Sequence, residues 1–283
     1  MTQIFFKRAA SLLFLAPVVM LAQFPPNPAM IEQMKKAEAA PTPKTSDGHP
    51  DLSGYWAFDG LGAALNVLGT QKVTLDGKVA VVASEDVEHK GNLDGVARRK
   101  ANVNARPVYK PEFKAKADEN FERAAFLDPS YKCMPLGVPR LGIPAEIVQT
   151  PSALYFLYSS RNSYRVIPTD GRAHNADADR MSMGDSVGRW DGDALVVDAT
   201  NFNEDTWLDN DGSFHTQNMH VVERFTRKGN TIQYELTVED SAVMAKPFTA
   251  RRAMMLGKAG EHAAEDYPCY ETDQQHLTTN ERH

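Results

Sequence analysis

From residue 51 onward, apolar and polar positions alternate with a period of two, the repeat of a strand with one buried face. Residues 52–56 (LSGYW) open the series, and residues 72–75 and 78–82 flank Asp76-Gly77. Residues 153–159 (ALYFLYS) are apolar throughout, and residues 164–167 follow after a polar break. Residues 186–190 and 194–199 flank Asp191-Gly192, residues 219–226 and 231–238 flank Gly229-Asn230, and residues 248–256 close the series. An Asp-Gly pair supplies the positive φ angles of a tight hairpin turn. Consecutive strands joined by short turns, with no βαβ alternation, predict an antiparallel meander. One stretch departs from the period: Phe113, Ala117, Phe121 and Ala125 recur every four residues after Pro111, the face of a helix over 111–126. The expected fold is therefore mainly β, an antiparallel meander closing as a lipocalin-like β-barrel, with a short helical insertion. No solenoid or propeller period is present.

The N-terminus changes pattern. Lys7-Arg8 precede an apolar run over 9–22 that ends in small residues, which reads as a signal peptide cleaved after Ala22. An uncleaved anchor is the alternative, although the run is short of the roughly 20 residues a spanning helix needs. Residues 23–50 are rich in Pro, Ala and Lys and read as a flexible tether with a turn or two of helix over 30–39. Residues 51–270 form the β-barrel-like domain and 271–283 a polar tail. Export places the protein in the periplasm or outside the cell, with no stable membrane insertion once the signal is removed.

Composition narrows the partners. The 283-residue chain carries 31 basic and 37 acidic residues, a net charge of −6, with no basic stripe, which argues against nucleic acid. The two cysteines, Cys133 and Cys269, are an even count in an exported chain and are expected to pair, the other possibility being two buried thiols.

The segments DLSGYW, CMPLGVPR, EIVQTPSALYFLY, TDGRAH, GRWDGDALVVDATNFNEDTWLD and HVVERF resemble a family of exported bacterial β-rich proteins of unassigned function, over residue 51 to about 269. The resemblance implies an exported β-rich domain and brings no activity with it. DLSGYW is also similar, through Gly54-x-Trp56 alone, to the first strand of lipocalin-like barrels.

Candidate chemistry concentrates in residues 186–227. On the strand 219–226, alternation places Met219, Val221, Glu223 and Phe225 on one face and His220, Val222, Arg224 and Thr226 on the other. His220 and Glu223 therefore cannot grip one ion together. Glu223, among apolar neighbours, must be paired or carry a raised pKa, with Arg252 as a possible partner. It is either a general acid or base, or half of a structural ion pair. His174 lies in a loop with Asp170, Asp177 and Asp179, and His215 in a loop after Trp207 and Asp209, near Asp211. Histidine beside carboxylates can act as a base with a fixed tautomer, yet the same residue types also build solvated turns. The candidate catalytic set is His215, Glu223, His174 and His220, with His215 and Glu223 as its centre.

Trp190, Trp207, Asp209, Arg224 and Tyr158 are the candidate ligand-binding residues, though aromatic residues on strands also simply pack. Asp209-Asn210-Asp211-Gly212 fails as a calcium loop, because aligning Gly212 with the invariant glycine puts Trp207 at the first ligand position. Asp47-x-His49-x-Asp51 reads as a turn. No metal and no cofactor are implied, and no nucleophile elbow, phosphate loop or zincin motif occurs. The expected function is binding of a small apolar or aromatic molecule in the barrel. Acid–base chemistry on it, of isomerase, lyase or hydrolase type, is an open addition. The alternative is a non-catalytic ligand-binding or cell-envelope structural protein.

Overall fold

A computed structural model describes residues 28–57, 72–75, 78–81, 106–175 and 177–269. Residues 1–22, read as a signal peptide, the expected Asp76-Gly77 turn and residues 271–283 lie outside the described residues. Nine strands form one antiparallel sheet that curls into a nearly closed barrel. They are β1 (Gly54–Ala57), β4 (Glu146–Gln149), β5 (Ala153–Leu157), β6 (Tyr164–Pro168), β7 (Asp185–Asp191), β8 (Ala194–Thr200), β9 (His220–Lys228), β10 (Thr231–Glu239) and β11 (Phe248–Leu256). β2 (Lys72–Leu75) and β3 (Lys78–Val81) pair separately as a hairpin.

The ladder order β6-β5-β4-β1-β11-β10-β9-β8-β7 follows the chain around the barrel, apart from the β2–β3 hairpin. That is the up-and-down arrangement short turns impose. β4 was not anticipated, because its four residues place only one side chain, Ile147, inside. The hairpins around Asp191-Gly192 and Gly229-Asn230 form as expected. At Gly229, φ is +56° and a Cβ would stand 2.4 Å from the Ala37 carbonyl oxygen, so only glycine fits.

That contact belongs to the segment read as a tether. Helix α1 (Pro28–Glu38) and the residues after it lie against the β9–β10 turn. Asn230 N donates to Ala37 O (2.8 Å) and Gly229 N to Thr42 Oγ1 (2.7 Å). The hairpin's unpaired amides find their acceptors there.

The seam lies between β6 and β7, which share no ladder. Gly188 lets the two approach, since a Cβ there would stand 2.9 Å from methyl carbons of Ile167 and Thr169. Side chains fasten the seam. Arg165 of β6 points inward, donating from Nη2 to Ser186 Oγ on β7 (2.9 Å) and from Nη1 to Glu223 Oε2 on β9 (2.6 Å). Glu223 Oε1 accepts from Tyr234 Oη (3.1 Å), and Arg165 Nη1 also reaches Tyr158 Oη (3.2 Å). Arg165 and Glu223 are 4 % and 1 % exposed. Glu223 is thus ion-paired, and its partner is Arg165 rather than Arg252. Around the pair, Phe156 packs edge-on and Tyr234 tilted against Phe225, with centroids 5.1 and 5.0 Å apart. Leu154, Ile167, Leu195, Val197, Val221 and Leu236 occupy the rest of the interior.

Each barrel end is covered. At one, Trp56 is buried beneath the Arg227 guanidinium (5.0 Å), and its indole N–H donates to Leu52 O (2.9 Å). At the other lie the loop 201–219 and the helical insertion. The insertion comprises a 3-10 turn (Pro111–Phe113), α2 (Lys114–Glu122) and α3 (Ala124–Leu127), broken at Arg123 where ψ is 22°. Phe121 is buried, and Phe113 and Ala117 pack on the core, as the four-residue spacing predicts. Arg140 joins these pieces through a buried two-pronged bond to Asp128 (2.8 and 2.6 Å) and a bond from Nη2 to Asn210 Oδ1 (2.7 Å).

Cys133 and Cys269 form a disulfide with Cα atoms 5.6 Å apart. It ties the chain beyond β11 to the insertion across 136 residues, a closure worth about 5 kcal/mol in chain-entropy terms. Among the described residues no helix is long and apolar enough to cross a membrane.

Breaking the interior ion pair leaves one charge buried alone. Glu223→Ala or Arg165→Ala is expected to cost about 3–5 kcal/mol of unfolding free energy. The apolar double variant Arg165→Met/Glu223→Leu should lie closer to the parent. Denaturant titration reads all three, and single variants within 1 kcal/mol of the parent, as an approximate margin, would contradict the pair's role.

Candidate functional site

The antiparallel register lines up titratable side chains on the outer face of β7–β10. Asp185 of β7 stands opposite Thr200 of β8, and His220 of β9 opposite Glu239 of β10. Asp198, two residues before Thr200, shares that face. His174 arrives from the β6–β7 loop and completes a chain of contacts. Its Nδ1 lies 2.9 Å from Asp185 Oδ2 and its Nε2 lies 3.0 Å from Asp198 Oδ1. The same Asp198 Oδ1 is 3.0 Å from His220 Nε2, while His220 Nδ1 stands 3.8 Å from Glu239 Oε2, beyond hydrogen-bond reach.

The geometry sets protonation. Carboxylate oxygens accept, so with one beside each His174 nitrogen the contacts favour the doubly protonated ring. Partial burial would lower the His174 pKa, but the bonds to Asp185 and Asp198 outweigh it and hold it above an ordinary histidine's. His220 donates from Nε2 to Asp198, which leaves the Nδ1 lone pair as its proton-accepting atom. An acid that fixes a histidine's tautomer in this way is the usual support for a general base.

Both imidazoles border a cleft of about 270 Å³. Its walls are His174, Asn175 and Arg180 from the β6–β7 loop, Thr200 and Asn201 from the end of β8, and Gln217, Asn218, Met219 and His220 from the approach to β9. Among the described residues, no group of three or more His, Cys, Asp or Glu side chains is placed to hold a metal ion.

His215 and Glu223 are elsewhere. His215 is buried: its Nδ1 donates to Thr216 O (3.1 Å), and its Nε2 accepts from Thr206 Oγ1 (2.9 Å). Burial pushes its pKa down, which favours the neutral ring. Glu223 sits inside the barrel, on the face opposite His220. Of the four candidate catalytic residues, the fold brings together His174 and His220 and separates them from His215 and Glu223. His220 and Glu223 take opposite faces of β9, as alternation predicts, and His215 and Glu223 do not meet.

The candidate ligand residues also disperse. Trp190 stacks on His49 at the far hairpin (4.5 Å between centroids), and Arg224 pairs with Asp191 beside it (2.7 Å). Trp207 is buried and bridges to Phe214, and Asp209 Oδ1 accepts from Asp211 N and Ser213 N within the same loop. Tyr158 is buried against Arg165, and burial raises its pKa to about 12. None of the five lines the cleft. No motif in the sequence singles out Asp198, Asp185, Arg180 or Arg165. Asp198 had one signal, an acid at outward parity in the apolar run ALVVDAT, and Arg165 shares inward parity with Ile167.

No family model, no curated protein and no solved structure matches this chain.

The two histidines impose opposite pH dependences. His174, with its pKa raised in the fold, stabilises fully below about pH 6.5, and that contribution is lost as pH rises through the raised value. His215, with its pKa lowered, costs stability as pH falls below about 6.5, where the unfolded chain takes the proton first. Unfolding free energy measured across this range should lose its alkaline decline in His174→Gln and its acid decline in His215→Gln. Slopes identical to the parent's would contradict these environments.

Proposed function

We propose that this is an exported β-barrel protein that binds a small molecule in the outer-face cleft and transfers protons on it, with His220 as the base. The observation that carries the reading is Asp198 Oδ1, 3.0 Å from Nε2 of both His174 and His220 at the edge of a cleft. Asp198 holds His220 with Nδ1 as the accepting atom, and His174 moderates the charge of Asp198. Proton transfer of this kind serves isomerases, lyases and hydrolases alike.

A small apolar or aromatic guest inside the barrel has less support, because Phe156, Phe225, Tyr234 and their neighbours occupy the described interior. Eight of the nine residues lining the cleft carry polar side chains, which favours a ligand with polar groups. The second reading, a non-catalytic binding or envelope-structural protein, draws on His215 and Glu223, whose hydrogen bonds all serve the fold. Export is supported by the Cys133–Cys269 disulfide, a bond that persists in oxidising compartments. The resemblance of the DLSGYW and GRWDGDALVVDATNF elements to exported bacterial proteins points the same way.

Comparative mass spectrometry of small molecules retained by the parent and by His220→Ala tests the cleft. A retained molecule that the variant loses, or accumulates unconverted, supports the reading, provided the variant melts with the parent. Retention and conversion that match the parent's remove His220 from the site. The intact mass of protein recovered from the periplasm or medium should place the mature N-terminus at Gln23. A mass that includes residues 1–22 contradicts cleavage.

A further inference from the structure

The chemistry of the cleft wall says more about the ligand than its volume does. None of its nine lining residues is acidic, although acidic residues outnumber basic ones 37 to 31 in the chain. Asp185 and Asp198 stand behind the imidazoles, each accepting N–H bonds: Asp185 Oδ2 from His174 and Asn175 N, Asp198 Oδ1 from His174 and His220. Glu204 is likewise engaged by Gln217 N (3.1 Å). What lines the cleft is one guanidinium, two imidazoles and neutral side chains.

Arg180 is the strongest of them. Its Nη1 donates to Phe202 O (3.4 Å) and Gln217 O (3.1 Å), which anchors the guanidinium to backbone. Nη2 makes no bond to any described residue, so a pre-positioned, permanently charged donor is left over at the wall. His174, whose pKa the bonds to Asp185 and Asp198 raise, lines the same cleft, as do Asn175, Gln217 and Asn218, whose carboxamides are neutral.

We infer that the ligand carries an oxyanion, a carboxylate or a phosphate, bound through Arg180 Nη2, with the rest of the molecule against His220. Charge-assisted bonds from guanidinium to oxyanion are about twice as strong as neutral ones and directional, which suits a shallow site with few contacts. This rests on the cleft being a ligand site, and goes beyond it by naming the ligand's charge and the residue that reads it.

The test uses the mature full-length protein, with histidine ring resonances followed by ¹H–¹⁵N NMR at constant ionic strength set with sodium chloride. The probes are sodium succinate, sodium phosphate and neutral erythritol. Saturable shifts at His174 and His220 with succinate or phosphate, and none with erythritol, are expected, and whichever anion binds tighter distinguishes the two chemistries. Arg180→Gln should weaken the anion at least about tenfold, with Arg180→Lys intermediate. If Arg180→Gln melts early, Arg180→Lys decides alone: weakened affinity with parental histidine shifts supports the assignment, and unchanged affinity overturns it. Equal responses to erythritol, with Arg180→Gln indifferent, overturn the anion and leave the cleft standing. Silence from all three probes also overturns the anion, while the retained-molecule comparison above decides the cleft independently.

Discussion

The ion pair between Arg165 and Glu223 is the constraint on which the barrel depends. Removing two charges from water is costly, and their attraction repays it only when every remaining donor and acceptor finds a partner. Tyr158, Tyr234 and Ser186 supply most of those partners, from β5, β10 and β7 respectively, with Tyr158 just past the end of its strand. One guanidinium therefore gathers strands from both sides of the seam where no backbone ladder runs. Its Nε has no partner, the one incomplete feature of the network among the described residues. A slip of one residue in β6 or β9 would turn its charged member outward and strand the other, so the pair also selects the register.

Filling the interior in this way displaces the chemistry to the outside. Large aromatic side chains and a satisfied polar network occupy the barrel, and Trp56 with Arg227 plugs one end. The outer face of β7–β10 is then where titratable groups stay accessible, and the antiparallel register sets them in a row. Asp185, Thr200, His220 and Glu239 lie on four successive strands, with Asp198 on the diagonal.

The loop 201–219 connects this face to the capped end of the barrel. It is held by buried His215 between Thr206 and Thr216, and by Asp240, which accepts from Thr216 N (2.6 Å). Its last residues before β9 supply Gln217 and Asn218 to the cleft. Two histidines of one chain thus serve opposite ends. The pKa of His174, partly exposed between carboxylates, is raised; that of His215, buried between Thr206, Thr216 and Phe202, is lowered. Environment separates them, since residue type does not.

The fold was largely legible in the chain. Alternation located eight of the nine barrel strands, Asp-Gly and Gly-Asn located the turns, and a four-residue spacing located the α2 face. Parity separated Glu223 from His220, and composition suggested the disulfide. These are local properties, fixed by strand pleat, helical pitch and the φ a turn demands within a few residues. The site was not local. That Glu223 meets Arg165, 58 residues away, and that His174 reaches across to Asp198 and His220, depend on barrel closure, register and the path of a loop. A sequence shows which face a side chain takes on its own strand. Only the summed packing of all nine strands decides what stands opposite it.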